Sequence, residues 1–154
     1  MDSFDNLSGK WKGTYILGPE YESDEGKSFE FILDLVDENK TFNGVCYEAE
    51  LSEFFQKPIT VTGFWDKDII SFTKKYPCLF FFDEDGQVVI DVTKDQPEIF
   101  YSGDFDETEN GFSGDFEMVV DSFSFGEGWL ESSLTGTWTI KRIEESLQKR
   151  KETL

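Results

Sequence analysis

Hydrophobic and polar residues alternate along most of this chain with a period of two, the pattern of a β-strand that buries one face. Residues 9–17 and 28–36 show the alternation most clearly, and short polar turns separate each such segment from the next. About ten segments follow one another in this way. Short turns between alternating segments are typical of hairpins, so the pattern predicts an all-β chain in which consecutive strands pair antiparallel.

Three segments depart from this alternation. Residues 49–57 carry apolar side chains at helical spacing, which predicts a short helix or a lid loop, and residues 121–133 form a second irregular stretch rich in aromatic residues. Residues 143–152 have one apolar side and several basic residues, which predicts a short C-terminal helix. No low-complexity linker interrupts residues 1–154, so we expect a single domain.

A short phrase recurs six times: a small polar residue, glycine, any residue, and an aromatic residue or a close substitute. The six copies are Ser8-Gly9-Lys10-Trp11, Asn43-Gly44-Val45-Cys46, Thr62-Gly63-Phe64-Trp65, Ser102-Gly103-Asp104-Phe105, Ser113-Gly114-Asp115-Phe116 and Thr135-Gly136-Thr137-Trp138. Each glycine lies two residues before its ring, on the same face of a strand. Inward glycines favour the sharply coiled strands of a closed barrel over a two-sheet sandwich. We therefore predict a single antiparallel up-and-down β-barrel of about 8–10 strands.

The first copy of the phrase, Gly9-Lys10-Trp11, resembles the opening of the calycin-type barrels, which include lipocalins, intracellular fatty-acid-binding proteins and avidin-like proteins. The resemblance implies a lipocalin-like barrel in which Arg142, at the end of the last strand, packs across Trp11 and closes the base. The lipocalin Thr-Asp-Tyr motif and the Arg-x-Tyr pair of fatty-acid-binding proteins are missing, and the biotin contacts of avidins cannot be placed. The resemblance therefore implies an architecture and no particular ligand.

Aromatic residues make up 17% of the chain. Those on the inward faces are predicted to line the inside of the barrel: Trp11, Tyr15, Trp65, Tyr101, Phe116 and Trp138. Two interpretations stay open, because such rings either fill the core of a small barrel or surround one small, largely apolar ligand.

The formal net charge of −19 argues against two classes of partner. Nucleic acids and anionic membranes both recruit cationic side chains, so we expect neither. The charge fits a self-repelling soluble surface or an acidic face that binds a basic protein. The N-terminus has no apolar signal region and the chain has two cysteines, so we expect a cytoplasmic protein with reduced thiols, unless a signal peptide has been removed.

The chain contains no histidine. This absence excludes Ser-His and Cys-His nucleophiles, His-ligated haem and almost every catalytic zinc site. Nearly all carboxylates fall on outward positions or in turns, with Glu48 as the exception at a strand end. We therefore assign no catalytic residue, expect no metal or cofactor, and interpret Cys46 and Cys78 as buried structural cysteines.

Three functions remain open. The leading hypothesis is a non-catalytic barrel that binds a small apolar ligand in its lumen. The second is an interaction module that recognises another protein through its acidic outer face or through the segments 49–57 and 121–133. The third is a histidine-free isomerase or cyclase that uses carboxylates and tyrosines in the lumen. The sequence does not indicate the oligomeric state.

Overall fold

The computed structural model describes residues 6–19, 25–85, 87–125 and 128–143, and the side chains of all these except 82 and 119–132. The described residues contain ten strands in chain order: β1 Gly9–Leu17, β2 Ser28–Glu38, β3 Thr41–Glu48, β4 Ile59–Asp66, β5 Ile69–Lys75, β6 Leu79–Phe82, β7 Val88–Asp91, β8 Ile99–Asp106, β9 Gly111–Phe125 and β10 Gly128–Arg142.

Eight of these strands form a closed barrel in the order β1-β10-β9-β8-β5-β4-β3-β2. Every pairing is antiparallel, and β1 closes the barrel by pairing with both β2 and β10. The predicted up-and-down barrel is therefore confirmed. Strands β6 and β7 pair only with each other, as a hairpin inserted between β5 and β8.

Inward glycines in the barrel make room for rings on neighbouring strands. Gly13 pairs with Phe31, and Gly136 pairs with Phe116. A Cβ atom added at Gly13 would lie 2.7 Å from the Phe31 ring, and one at Gly136 would lie 2.3 Å from the Phe116 ring. Because real Cβ atoms do not approach other atoms so closely, the glycines allow large rings to fill the lumen of strongly coiled strands.

The structure corrects the prediction for residues 121–133. Residues 121–125 and 128–133 belong to β9 and β10, which pair with each other as far as Phe125 and Gly128. β9 pairs with β8 only as far as Met118, and β10 pairs with β1 only from Gly136 onwards. The part of β9 after Met118 and the part of β10 before Gly136 therefore form a two-stranded hairpin, with one register shift between Ser132 and Ser133. The sequence alternates there only briefly, through Phe123 and Phe125, before the glycines at 126 and 128, so the strand pattern was hard to recognise.

The other two irregular segments have different outcomes. Residues 49–57 contain a single 3-10 turn, Ser52–Phe54, which is shorter than an α-helix. The predicted C-terminal helix at 143–152 lies outside the described residues, apart from Ile143. No helix in the described part of the chain is long and apolar enough to cross a membrane.

The barrel has two unlike ends. At the closed end, where β1 begins and β10 finishes, the guanidinium of Arg142 lies 4.8 Å from the centre of the Trp11 ring. At the open end, the chain leaves β5 and enters β8 through the β6–β7 hairpin.

Candidate ligand site at the open end of the barrel

A cavity of about 230 Å³ lies at the open end of the barrel. Its wall consists mainly of aromatic and aliphatic side chains contributed by strands β1, β2, β8, β9 and β10 and by the insertion between β5 and β8. The lining residues are Tyr15, Leu17, Phe29, Tyr76, Phe80, Phe81, Gln96, Ile99, Tyr101, Phe116, Met118 and Leu134.

The β6–β7 hairpin forms part of the cavity wall. The Phe80 ring packs 4.7 Å from Tyr76 and 5.8 Å from Phe55, measured between ring centroids. The backbone N–H of Phe80 donates to the side-chain oxygen of Gln96, whose amide nitrogen lies 3.9 Å from the sulfur of Met118. Phe55 and Gln96 therefore hold the hairpin against the barrel by a ring contact on one side and hydrogen bonds on the other.

A cluster of buried polar side chains lies next to the cavity. The Glu48 carboxylate, at the end of β3, accepts hydrogen bonds from the hydroxyls of Tyr15 at 2.8 Å and Tyr76 at 2.6 Å. The Lys74 ammonium donates to the same carboxylate at 2.6 Å, and both charged side chains are 2% exposed. We call Tyr15, Glu48, Lys74, Tyr76 and Tyr101 the buried polar cluster.

Aromatic rings surround the ammonium group of Lys74. Its nitrogen lies 4.5 Å from the centre of the Tyr15 ring and about 5 Å from the Tyr76 and Tyr101 rings, with Phe31 slightly farther away. A cation over the face of a ring is attracted by the ring quadrupole, and the attraction is stronger where water is excluded. The rings and Glu48 together compensate Lys74 for the loss of its hydration.

The protonation states in this cluster follow from burial and from the ion pair. Burial raises the pKa of Tyr15 and Tyr76 well above its usual value, and the nearby Glu48 carboxylate adds to the rise. Burial also raises the pKa of Tyr101, against the attraction of Lys74. For Lys74, burial is the largest single influence and lowers the pKa, but attraction to Glu48 together with Tyr101, Cys46 and Tyr15 outweighs it, and the net shift is upward. Lys74 is therefore charged and its tyrosine neighbours are neutral at pH 7.

Cys46 is part of the same environment. Its thiol lies 3.8 Å from the Glu48 carboxylate, and burial raises the pKa of the thiol. Both Cys46 and Cys78 are free and buried. Because a thiol needs to lose its proton to act as a nucleophile or metal ligand, the surroundings of Cys46 keep it unreactive.

The closed end is built around a second buried carboxylate, Asp37 on β2. It accepts hydrogen bonds from the Trp65 indole at 2.6 Å, from the backbone N–H of Leu7 at 2.7 Å and from that of Lys40 at 3.1 Å. The Trp11 indole in turn donates to the carbonyl of Leu7 at 2.9 Å. These bonds fasten the segment before β1 across the barrel base.

Three of the six aromatic residues proposed from the sequence line the cavity, and three do not. Tyr15, Tyr101 and Phe116 line the cavity, whereas Trp11, Trp65 and Trp138 are not among the lining residues. The indole of Trp138 is buried and donates to backbone carbonyls of β8 and β9. The inward face of a strand does not specify the end of the barrel to which a ring belongs, so the sequence could not separate the two groups.

Sequence reasoning missed Lys74, Tyr76 and Gln96. A signal for the first two was present, because Ile70, Phe72 and Lys74 alternate on the inward face of β5 and the buried Tyr76, just after the strand, continues the alternation. A lysine in that phase has to be buried, and a buried lysine needs a carboxylate partner. No comparable signal marked Gln96, which lies in the connection between β7 and β8.

The described lining of the cavity includes no carboxylate, since Glu48 lies behind the tyrosines and its oxygens accept bonds from them and from Lys74. The isomerase or cyclase hypothesis needs a carboxylate in contact with the ligand. The described residues also contain no group of three His, Cys, Asp or Glu side chains placed to hold a metal ion.

No protein-family profile matches the sequence, and no curated protein is significantly similar to it. Two solved structures are similar. The crystal structure of rhizavidin is 12% identical over 86% of this chain and 84% of that chain, with a TM-score of 0.42. The crystal structure of a rhizavidin–biotin complex is 13% identical over 93% of this chain and 99% of that chain, with a TM-score of 0.44. At these values the likeness concerns the fold alone.

Proposed function

We propose that this protein binds a small, uncharged and mainly apolar molecule in the cavity at the open end of the barrel. The observation that carries the proposal is the cavity of about 230 Å³ with its aromatic and aliphatic wall. An apolar cavity of about 150 Å³ stays dry and takes up benzene. The larger volume here suits a molecule with two fused rings.

The charge balance around the cavity favours a neutral ligand. Glu48 and Lys74 neutralise each other in a 2.6 Å ion pair, and neither is among the residues that line the cavity. The polar side chains that do line it are the three tyrosines and Gln96. An anionic ligand would lose its hydration in this cavity without gaining a cation in exchange, which costs several kcal/mol.

The expected affinity follows from the apolar area that the cavity can cover. A two-ring aromatic molecule buries about as much surface as a tryptophan side chain, roughly 200 Å². At ~25 cal/mol per Å², burial of this area contributes about 5 kcal/mol. This corresponds to a dissociation constant on the order of 0.1 mM before any contribution from hydrogen bonds.

Titration with indole and with indole-2-carboxylate tests both parts of the proposal. The two probes share a ring system and differ in charge. We expect indole to shift the amide NMR resonances of Leu17, Ile99 and Met118 saturably, and the carboxylate to shift them at least tenfold more weakly. Equal binding of the two probes would refute the neutral-ligand part, and failure of both indole and benzene to bind would refute the site.

A cavity-filling variant with a matched control locates the binding. Leu134 is half-buried and lines the cavity, so Leu134→Trp should occupy the space and weaken indole binding at least tenfold in isothermal titration calorimetry. Val36→Trp places the same ring on the outer surface of β2, where Val36 is 56% exposed, and should leave the affinity unchanged. Equal affinities in the two variants would show that indole binds elsewhere.

A further inference from the structure

Strands β6 and β7 form part of the cavity wall but do not belong to the barrel sheet. They pair with each other through four residue pairs, from Leu79 with Asp91 to Phe82 with Val88, and the described residues include no pairing between them and a barrel strand. A two-stranded hairpin is at best marginally stable on its own in water. Its position therefore depends on contacts with the rest of the protein. We call these two strands, Leu79–Phe82 and Val88–Asp91, the flap.

Phe80 fixes the flap to its surroundings by a hydrogen bond and by ring contacts. Its ring lies 4.7 Å from that of Tyr76 and 5.8 Å from that of Phe55, and its backbone N–H donates to the Gln96 side-chain oxygen at 3.1 Å. The described backbone hydrogen bonds of the flap stay within the insertion between β5 and β8. The flap can therefore move as a unit without breaking a hydrogen bond between barrel strands.

The flap is apolar on both faces, but neither face is completely buried. Phe80, Val88, Val89 and Ile90 are half-buried, and Phe81 is 49% exposed although it lines the cavity. Strands with apolar residues on both faces are usually covered on both. The flap therefore keeps apolar surface in contact with water that a deeper position over the cavity would bury.

Gln96 connects the flap to the interior of the cavity. Its side chain is 7% exposed, lines the cavity, and accepts the hydrogen bond from Phe80. Its amide nitrogen lies 3.9 Å from the sulfur of Met118 on β9, which is a weak acceptor. A molecule in the cavity would contact the same side chain that holds Phe80. The position of Gln96 therefore depends on what the cavity contains, and the position of the flap depends on Gln96.

We propose that the flap is a lid, latched by Gln96, that opens to admit the ligand and closes over it; the proposal rests on the binding function proposed above. An occupied cavity offers apolar contacts to the half-exposed residues of the flap, whereas an empty cavity does not. A ligand that makes these contacts only in the closed state shifts the protein towards that state. The closed lid then excludes water from the ligand and delays its release.

Amide hydrogen exchange measured by NMR, with and without indole, tests the lid. In the free protein we expect the amides of the flap to exchange on the order of 100-fold faster than those of β5 and β8, because the flap opens without the barrel. Indole at about ten times its dissociation constant should slow exchange of the flap roughly tenfold. The Lys40 amide, which is hydrogen-bonded in the turn at the closed end, should not respond. Flap amides that exchange as slowly as those of β5 and β8 in the free protein would overturn the lid.

Isothermal titration calorimetry on the same protein separates this proposal from the binding function. Indole that binds without slowing exchange of the flap would overturn the lid and leave the binding function intact. Failure of both indole and benzene to bind would overturn the binding function, and closure over a ligand with it.

Matched variants test the latch. Gln96→Met removes the oxygen that accepts from Phe80 at nearly unchanged side-chain size, and the loss of this hydrogen bond should accelerate exchange of the free flap by roughly fivefold. Gln87→Met makes the same change at an exposed residue next to β7 and should leave exchange of the flap unchanged. Circular dichroism checks that both variants are folded, and Gln96→Leu replaces Gln96→Met if the latter fails to fold. Equal exchange of the flap in the two folded variants would overturn the role of Gln96 as the latch.

Discussion

The two ends of the barrel each contain one buried carboxylate, but the groups that donate to it differ. At the closed end, Asp37 accepts from the Trp65 indole and from two backbone N–H groups, which are all neutral donors. At the open end, Glu48 accepts from two tyrosine hydroxyls and from the Lys74 ammonium. The role of a buried carboxylate in this barrel therefore depends on which groups donate hydrogen bonds to it.

The consequence for function lies in what each carboxylate holds in place. Backbone donors bring chain segments together, so Asp37 fastens the segment before β1 and the turn at Lys40 over the barrel base. Side-chain donors do not tie backbone segments together. Glu48 therefore orients the rings of Tyr15 and Tyr76 in the cavity wall and does not close the end of the barrel. Asp37 therefore helps to close one end of the barrel, whereas Glu48 positions part of the cavity wall at the other end.

Removing Lys74 should have the largest effect of the changes that distinguish the two ends. Lys74→Met leaves the Glu48 charge buried without its cation, which should lower the free energy of unfolding by about 3–5 kcal/mol. Urea denaturation monitored by tryptophan fluorescence measures the loss. The double variant Glu48→Gln/Lys74→Met removes both charges and should recover most of the stability. A single variant as stable as the wild type would show that the pair is not needed.

Alkaline pH should lower the free energy of unfolding through the buried polar cluster at the open end. The pKa values of Tyr15, Tyr76, Tyr101 and Lys74 are all raised in the folded protein, so above about pH 10 the unfolded chain loses protons that the folded chain keeps. The free energy of unfolding keeps its full value below the pKa values that these groups have in the unfolded chain. It falls as the pH rises above those values, by up to ~1.4 kcal/mol per pH unit for each group.

Denaturation at a series of pH values from 7 to 11.5 measures this fall, and absorbance near 295 nm follows tyrosinate formation. We expect the buried Tyr15, Tyr76 and Tyr101 to ionise only together with unfolding, because their pKa values are raised in the folded protein. A free energy of unfolding that stays constant from pH 9 to pH 11.5 would contradict the proposed burial of these phenols.

Removing Asp37 should cost less and should leave the cavity unaffected. Asp37→Ala deprives the Trp65 indole and the Leu7 N–H of their acceptor, which should lower the free energy of unfolding by about 2–3 kcal/mol. Indole affinity should remain within twofold of the wild type, since Asp37 lies at the opposite end from the cavity. Loss of indole binding in a folded Asp37→Ala protein would show that the two ends are coupled.

The barrel and its strands were predictable because alternation and inward glycines are local features of the sequence. Gly13 and Gly136 could be placed on the inward face from their spacing to neighbouring rings, and both pair with rings in the structure. The path of residues 121–133 was not predictable, because the sequence alternates only briefly before the glycines at 126 and 128, whereas the strand pairing extends as far as Phe125 and Gly128.

The candidate site was less predictable than the fold. The sequence indicated that Tyr15, Tyr101 and Phe116 face inward, and it marked Glu48 as an exceptional carboxylate. It gave no way to bring Glu48 at the end of β3 together with Lys74 of β5, because their contact depends on the register between β3, β4 and β5. The side chain of Gln96 reaches Met118 because Ile99, three residues later in the chain, pairs with Met118 in the register of β8 and β9, which the sequence does not specify.

By itself, the sequence determined that the chain forms a barrel, which rings face its lumen and how strongly acidic its surface is. These properties follow from spacing along one strand and from composition. The tertiary structure alone decided that Lys74 meets Glu48 and that the cavity lies at one end of the barrel. Each of these depends on strand register, which places residues far apart in the sequence next to each other.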